Sequence, residues 1–390
     1  MFFQQQNLRK RHYNRCCPNG NNALRLGINA SFLNEKPTGV GVFTREVSRR
    51  LCRMCRDTVI FTPFDDDNIP APNRCKTPLA TRGSLHLHNN ILRFAYINTL
   101  LPLKARMKHI DLLYCPIMEF PFFPFMPLVV HIHDLHPLHF SSQFKLSATH
   151  FKLALNFVIR IAKRIIAPSE FVRNDMINHT GIQKNIIDVV HNGYDSSLFF
   201  PQESGLKNEF LKKYSIKGNY ILFVGSLFPY KNVETLVKAF LRVKNHLNCI
   251  LVIAGRKELS DRSLNQDRMI QYLDYIPQKD LPGLYSYADL LVHPSFMEGF
   301  GMTILEAMAC GIPVLSSNGG SLPEVAGDAA LLFDPKDSDS LSELMLSVIN
   351  NKGLRDEMTK KGFDNIKRFS WDKTAEGIFE SCKKAIKVGS

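Results

Sequence analysis

The chain has 390 residues, enough for two domains, and its 45% apolar and 22% charged residues are the mix of a globular protein. No uninterrupted apolar run is long enough to span a bilayer: the nearest stretch, Leu112 to Val130, carries Glu119 and is broken by Pro116, Pro121, Pro124 and Pro127. The net charge of +13 is lopsided, with 25 Lys and Arg against 13 Asp and Glu in residues 1–200 and 24 against 23 in residues 201–390. The basic half should therefore meet something anionic, and no DNA or RNA motif accompanies it, so nucleic acid is not expected as a partner.

Residues 1–23 are polar and basic (Arg9, Lys10, Arg11, Arg15), lack the apolar segment of a secretory signal, and read as a disordered leader. Leu24–Ala30 reads as a first strand, Thr38-Gly39-Val-Gly41-Val-Phe as a glycine loop, and residues 42–55 as a helix. Val59–Pro63 reads as a strand, residues 65–90 as loop and residues 91–109 as a basic helix. Pro127–His133 reads as an apolar strand, residues 146–163 as a helix, and Arg164–Ala167 and Ile186–Val190 as strands, the last ending at the turn His191-Asn192-Gly193.

A second series begins after a linker and short helix at Pro201–Lys217. Its strands are Tyr220–Val224, closed by Gly225, Ile250–Ala254, closed by Gly255, Asp289–His293 and Pro313–Ser316. Its helices are residues 231–246, 280–288, 302–310 and 338–350. Two such alternations predict two doubly wound α/β domains, with ligands beyond the carboxyl ends of the strands. The boundaries read as 24–197 for an N-terminal acceptor-binding domain, 198–368 for a nucleotide-sugar-binding domain and 369–390 for a helix crossing back onto the first. Nine scattered cysteines favour reduced thiols in a cytoplasm.

The chemistry concentrates in Pro294-Ser-Phe-Met-Glu298-Gly299-Phe300-Gly301-Met302-Thr303-Ile-Leu-Glu306-Ala-Met-Ala-Cys-Gly311-Ile-Pro-Val. A strand ends at His293, glycines let backbone N–H groups turn toward a ligand, and a helix starts near Met302. That is an anion site suited to a diphosphate. Glu298 and Glu306 flank it, with seven residues between them, where carboxylates can accept hydrogen bonds from sugar and ribose hydroxyls.

This run, with Gly320-Ser-Leu-Pro-Glu324 through Pro335, Phe223-Val-Gly225 through Lys231-Asn232, and Ile132-His133-Asp134, resembles the retaining glycosyltransferases of family four, which have the GT-B fold. The resemblance spans roughly residues 24 to 380. It implies that Glu298 holds donor sugar hydroxyls, Glu306 the ribose, and the N–H groups of Phe300 to Thr303 the diphosphate. Lys231 would neutralise the leaving phosphate, His133 would face the sugar across the cleft, and Gly39 and Gly41 would let the first loop approach the donor. It implies no metal and no other cofactor, a nucleotide-sugar donor, and a saccharide or lipid-linked saccharide acceptor; the basic N-terminal half suits peripheral contact with an anionic inner-membrane face. The Ser-Leu-Pro-Glu and Pro-Tyr-Lys-Asn variants look like mannosyltransferases of surface-polysaccharide assembly, which favours GDP-mannose. Another GT-B enzyme, a glucan synthase or a sugar-nucleotide epimerase, and a non-catalytic sugar-nucleotide-binding scaffold remain the alternatives. The pattern departs from the family where the loop Ser226-Leu-Phe-Pro-Tyr230-Lys231 lacks an arginine; Arg256 is a candidate replacement.

Other clusters have plainer readings. His131, His133, Asp134, His136 and His139 could suggest a metal site, since histidines at alternating strand positions point to one face, but no second ligand cluster accompanies them. Asp65-Asp66-Asp67 reads as a solvated loop, and Cys52 and Cys55 as helix residues without a second pair. The Phe- and Pro-rich stretch Phe120–Pro127 could touch a lipid acceptor but reads rather as a loop packed inward, and Trp371, Ile378 and Phe379 read as core packing of the last helix.

Overall fold

The computed structural model describes residues 24–34, 39–65, 69, 71–78, 87–141, 145–255 and 267–387. The expected leader, Asp66, Asp67 and Arg256 lie outside them.

In the first half the elements are β1 (Leu26–Asn29), α1 (Gly39–Met54), β2 (Val59–Thr62), β3 (Arg74–Lys76), α2 (Leu87–Asn98), α3 (Leu100–Met107), β4 (Leu112–Cys115) and β5 (Leu128–His131). They continue through α4 (His136–His139), α5 (Lys145–Ile161), β6 (Arg164–Ala167), α6 (Glu170–Thr180) and β7 (Ile187–Val189). The seven strands form one parallel sheet in the order β3-β2-β1-β4-β5-β6-β7.

The second half runs α7 (Lys207–Lys213), β8 (Tyr220–Val224), α8 (Val233–Val243), β9 (Ile250–Ala254), β10 (Ile270–Leu273), α9 (Leu281–Ser286), β11 (Leu290–His293) and α10 (Met302–Ala309). It ends with β12 (Val314–Ser317), α11 (Leu322–Ala326), β13 (Ala330–Phe333), α12 (Ser338–Asn350), α13 (Lys352–Asn365) and α14 (Trp371–Lys387). Its six strands are also parallel, in the order β10-β9-β8-β11-β12-β13. Short runs such as LLYC, LVVH and LLVH are buried throughout, as strands covered by helices on both faces must be.

The strand order reverses between β1 and β4, registered Leu26 to Leu112, and between β8 and β11, registered Leu290 to Ile221. A crevice opens at each reversal, and here the two crevices face one another. The fold is the two-domain GT-B arrangement.

Several elements differ from expectation. The glycine loop is the first turn of α1, which begins at Gly39. Residues 74–76 form an edge strand, paired to β2 through Ile60 and Arg74. The basic helix is two helices, because Pro102 has no N–H for the Asn98 carbonyl and instead fits the first turn of a new helix. The central strand β4 lies inside the proline-broken stretch, too short to show a period. The Phe120–Pro127 loop is only half buried. Phe120 and Phe122 pack on Phe157, with ring centroids 6.4 and 4.9 Å away, while Phe123 stays 81% exposed and Phe125 is exposed too. The interior slot is filled by the first two rings.

The last helix does cross back: Trp371, Ala375, Ile378, Phe379 and Cys382 pack into the core of the first half with Leu26, Phe43 and Val47. Trp371 sits edge-on to Phe43, centroids 5.8 Å apart. Trp371→Ala should cost about 3–5 kcal/mol. Chemical denaturation followed by circular dichroism would measure it; a cost under about 1 kcal/mol would mean the helix does not tie the halves together.

Candidate active site

The cleft between the halves holds a cavity of about 470 Å³. From the first half it is lined by Gly39 at the start of α1 and by His133, Asp134 and His136 beyond β5. From the second it is lined by Ser226, Tyr230 and Lys231 beyond β8, and by His293, Glu298, Phe300, Gly301, Met302, Thr303 and Glu306 around the start of α10.

Lys231 ends a single 3-10 turn after Pro229. The next residue, Asn232, pins that turn: its Nδ2 donates to the Pro294 and Pro335 carbonyls at 3.0 and 2.7 Å. Phe296 N–H also donates to the Tyr230 carbonyl at 2.8 Å, so the lysine and glutamate loops are tied. Lys231 Nζ then donates to Glu298 Oε1 at 2.7 Å. The same oxygen takes Ser295 Oγ at 2.6 Å and His293 Nε2 at 3.1 Å. Because the carboxylate can only accept, His293 carries its proton on Nε2, and its Nδ1 accepts from Thr303 Oγ1 at 3.1 Å. Burial would push the Glu298 carboxyl up, but the Lys231 ammonium and His293 outweigh it and hold the group well below the ordinary carboxylate range.

Glu306 lies one turn into α10. Burial pushes its carboxyl up to about 7, against the Tyr285 hydroxyl that donates to Oε2 at 2.8 Å. Gly301, at φ +95°, caps the helix where a β-carbon would strike Leu322 Cδ2 at 2.6 Å. The first N–H groups of α10 therefore open into the cleft beside the Lys231 ammonium, a matched pair for an anion. Among the described residues Lys231 is the only lysine or arginine lining the cavity.

His133 faces this set from the other half. Its Nε2 donates to the Pro116 carbonyl at 2.8 Å, and its ring stacks on His131 at 4.3 Å and 15°. Burial lowers its pKa, against the Pro116 carbonyl and Asp134, so it stands neutral near pH 7. Three expected residues do not line the cavity. Gly41 is buried inside α1, and Gly225 backs the sheet, its N–H on the Ala254 carbonyl. Gly299 packs against the other half: a β-carbon there would lie 2.0 Å from the His133 carbonyl oxygen.

Sequence reasoning missed several partners. His293, Ser295 and Tyr285 carry no motif beyond their place in the run. His136 stacks on Tyr230 across the cleft, centroids 4.5 Å apart, and its Nε2 donates to the Met297 carbonyl at 3.0 Å. Trp371 Nε1 and Asn192 Oδ1 are buried with no partner among the described residues, and both side chains line the cavity. The strand histidines do not converge; His139 instead joins Asp175 and His179 outside the cleft, where His139 Nε2 donates to the Asp175 carboxylate at 2.7 Å and His179 Nδ1 donates to the Asp175 backbone carbonyl at 3.0 Å.

The family profile described as "Glycosyl transferases group 1" matches residues 207–364, and that described as "Glycosyltransferase Family 4" matches residues 37–198. The chain belongs to the family four, group 1 glycosyltransferases. This family member is 37% identical over 221 residues to the O-antigen chain mannosyltransferase B of Escherichia coli, covering 54% of the chain and 58% of that protein. It is 27% identical over 238 residues to the serotype-specific mannosyltransferase WbdA of Escherichia coli, covering 58% of the chain and 29% of the relative. It therefore spans less than two thirds of these relatives' own length. The glycosyltransferase fold also superposes on Anabaena HepE, crystallised with UDP and glucose, at a TM-score of 0.73 and 20% identity, covering 92% of this chain and 99% of that one. Sucrose-phosphate synthase from Thermosynechococcus elongatus gives 0.74 at 17% identity, covering 94% and 100%.

A methyl group at position 299 cannot coexist with the His133 carbonyl. Gly299→Ala should therefore hold the halves apart and raise the radius of gyration in small-angle X-ray scattering. An unchanged scattering curve would show that the two loops do not set the closure.

Proposed function

We propose that this glycosyltransferase moves a hexose, mannose from GDP-mannose, to a saccharide acceptor. The acceptor is read as lipid-linked, the setting as cytoplasmic surface-polysaccharide or O-antigen assembly, and the transfer as retaining and metal-independent. The observation that carries the reading is the Lys231 ammonium beside the start of α10, on the cleft floor opposite His133. The names of the two mannosyltransferase relatives support the choice of sugar.

In this reading the anomeric C–O bond to the diphosphate breaks, and Lys231 and the α10 N–H groups offset the charge gathering on the leaving oxygen. The acceptor oxygen bonds the anomeric carbon on the face the diphosphate leaves, and its proton passes to the diphosphate. Glu298, already accepting three hydrogen bonds on Oε1, serves as a hydroxyl acceptor rather than a nucleophile. Glu306 takes the ribose hydroxyls, and neutral His133, whose N–H is already on the Pro116 carbonyl, accepts from a sugar hydroxyl at Nδ1. Closure of the cleft keeps water from the donor.

A thermal-shift screen in EDTA against UDP, GDP, ADP and their sugar conjugates tests this. GDP and GDP-mannose should stabilise selectively, by about 2.7 kcal/mol at a hundred times the dissociation constant. No shift with any nucleotide, in a protein that melts cooperatively, would favour a scaffold. Lys231→Ala should slow sugar release from GDP-mannose by about 10²–10³-fold.

The Glu306 carboxyl adds a pH signature. With its pKa raised to about 7, the ionised fraction grows from about a tenth at pH 6 to about nine tenths at pH 8. If the carboxylate accepts the ribose hydroxyls, GDP-mannose affinity rises about tenfold over that span. Calorimetric titration across it should show the rise in the wild type and a flat profile in Glu306→Gln; a flat wild-type profile would remove Glu306 from the ribose site.

A further inference from the structure

The basic first half gathers its exposed apolar side chains in one place. Ile91 and Phe94 stand three residues apart on α2, and Leu100, Leu103 and Met107 follow the exposed face of α3; Met107 is 78% exposed. The loop after β4 lies against these helices. Phe122 meets Phe94 with ring centroids 5.7 Å apart, its N–H donates to Asn98 Oδ1 at 3.0 Å, and Arg106 covers the Phe125 ring at 5.4 Å. On the far side of the loop Phe157 of α5 touches Phe120 and Phe122, and on that face Leu153 is 63% exposed. Phe123, at 81%, projects from the middle. A monomer rarely leaves so many large apolar groups together in water.

The charges on α2 and α3 have one sign. Residues 87–110 contain Arg93, Lys104, Arg106 and Lys108 and no aspartate or glutamate. Arg93 is neutralised by Glu119 at 2.9 Å, whereas Arg106 and Lys108 are exposed. Lys152 and Arg160 of α5 are exposed as well.

We infer that this face, formed by α2, α3, the Phe120–Met126 loop and α5, docks on an anionic lipid bilayer. Phe123, Phe125 and Met107 enter the headgroup boundary, while Arg106, Lys108, Lys152 and Arg160 meet lipid phosphates. Charge complementarity selects this occupant. Two copies of so basic a face repel one another, whereas an anionic leaflet attracts each nearby cation and accepts the apolar groups between them. The geometry places the surface usefully. The loop leaves the cleft at Pro116, whose carbonyl holds His133, and Glu119 further along accepts from Asn29 Nδ2 at 3.0 Å. The face is thus joined to the cleft through Pro116 and His133. The docking itself depends on neither donor nor chemistry and is measured without them.

Co-sedimentation with equimolar phosphatidylglycerol–phosphatidylcholine vesicles tests it, with pure phosphatidylcholine vesicles as comparison. The wild type should pellet with the anionic vesicles at low salt, and raised salt should release it. Phe123→Ser/Phe125→Ser should weaken partitioning by at least about tenfold, since both rings lose their apolar burial in the bilayer. Arg106→Glu/Lys108→Glu should do the same with the phenylalanines intact. All four positions are exposed, and melting temperatures equal to wild type would establish that both variants fold. Failure to bind anionic vesicles, equal binding to neutral ones, or binding that both variants retain would overturn the inference. So would a wild-type dimer by light scattering that the phenylalanine variant turns into monomers, because the face would then be an interface between copies. A failed thermal-shift screen would leave the vesicle result standing, and the converse holds.

Discussion

The two halves meet where one backbone must touch another. Gly299, in the loop before α10, lies so close to the His133 carbonyl that no side chain fits between them. That contact sets the height of the cleft, and its neighbours make it specific. Ser169 caps α6 by accepting from Val172 N–H at 3.2 Å and donates its hydroxyl to the Gly299 carbonyl at 2.9 Å. Glu324, from the second half, accepts the next two free N–H groups of the same helix, from Glu170 and Phe171, and the His191 ring at 2.8 Å. A helix N-terminus in one domain is thus completed by a carboxylate in the other. Burial would raise the Glu324 carboxyl, but His191 and the two N–H groups hold it low and ionised. The last helix adds the covalent return, with Thr374 Oγ1 bonded to the His191 carbonyl at 2.8 Å.

With the cleft fixed, its electrostatics follow. One buried glutamate is ionised because a lysine and a histidine face it; the other sits near neutrality because only a tyrosine does. The two carboxylates of one short motif are therefore different chemical groups, separated by what the fold packs against them. A lysine parked on a carboxylate is also a lysine held ready: a dianionic ligand at the start of α10 can share it without moving the loop. The neutral His133 adds a hydrogen-bonding group without adding charge.

Much of this was legible in the residues. Alternating strands and helices carried the two-domain architecture, because parallel strands buried on both faces read as short apolar runs. The glycines and glutamates between Pro294 and Gly311 marked the turn that lines the cleft, because a helix start after a buried strand leaves N–H groups free. What escaped had no pattern to show. Four-residue strands such as β4 and the three-residue β3 are too short for a period, and the first turn of α1 looked like a loop because Gly39 and Gly41 are poor helix formers.

The sequence by itself determined the fold class, the family and the positions of Glu298, Glu306, Lys231 and His133, since each rests on local spacing. Tertiary structure alone decided which groups those residues face. His293, Ser295 and Tyr285 tune the glutamates through contacts that linear spacing does not encode, and His136 and Tyr230 meet from different domains. It also decided that Phe123 and Phe125 stay in water. Whether a loop phenylalanine is buried depends on whether the slot beneath it is already filled, and here Phe120, Phe122 and Phe157 fill it.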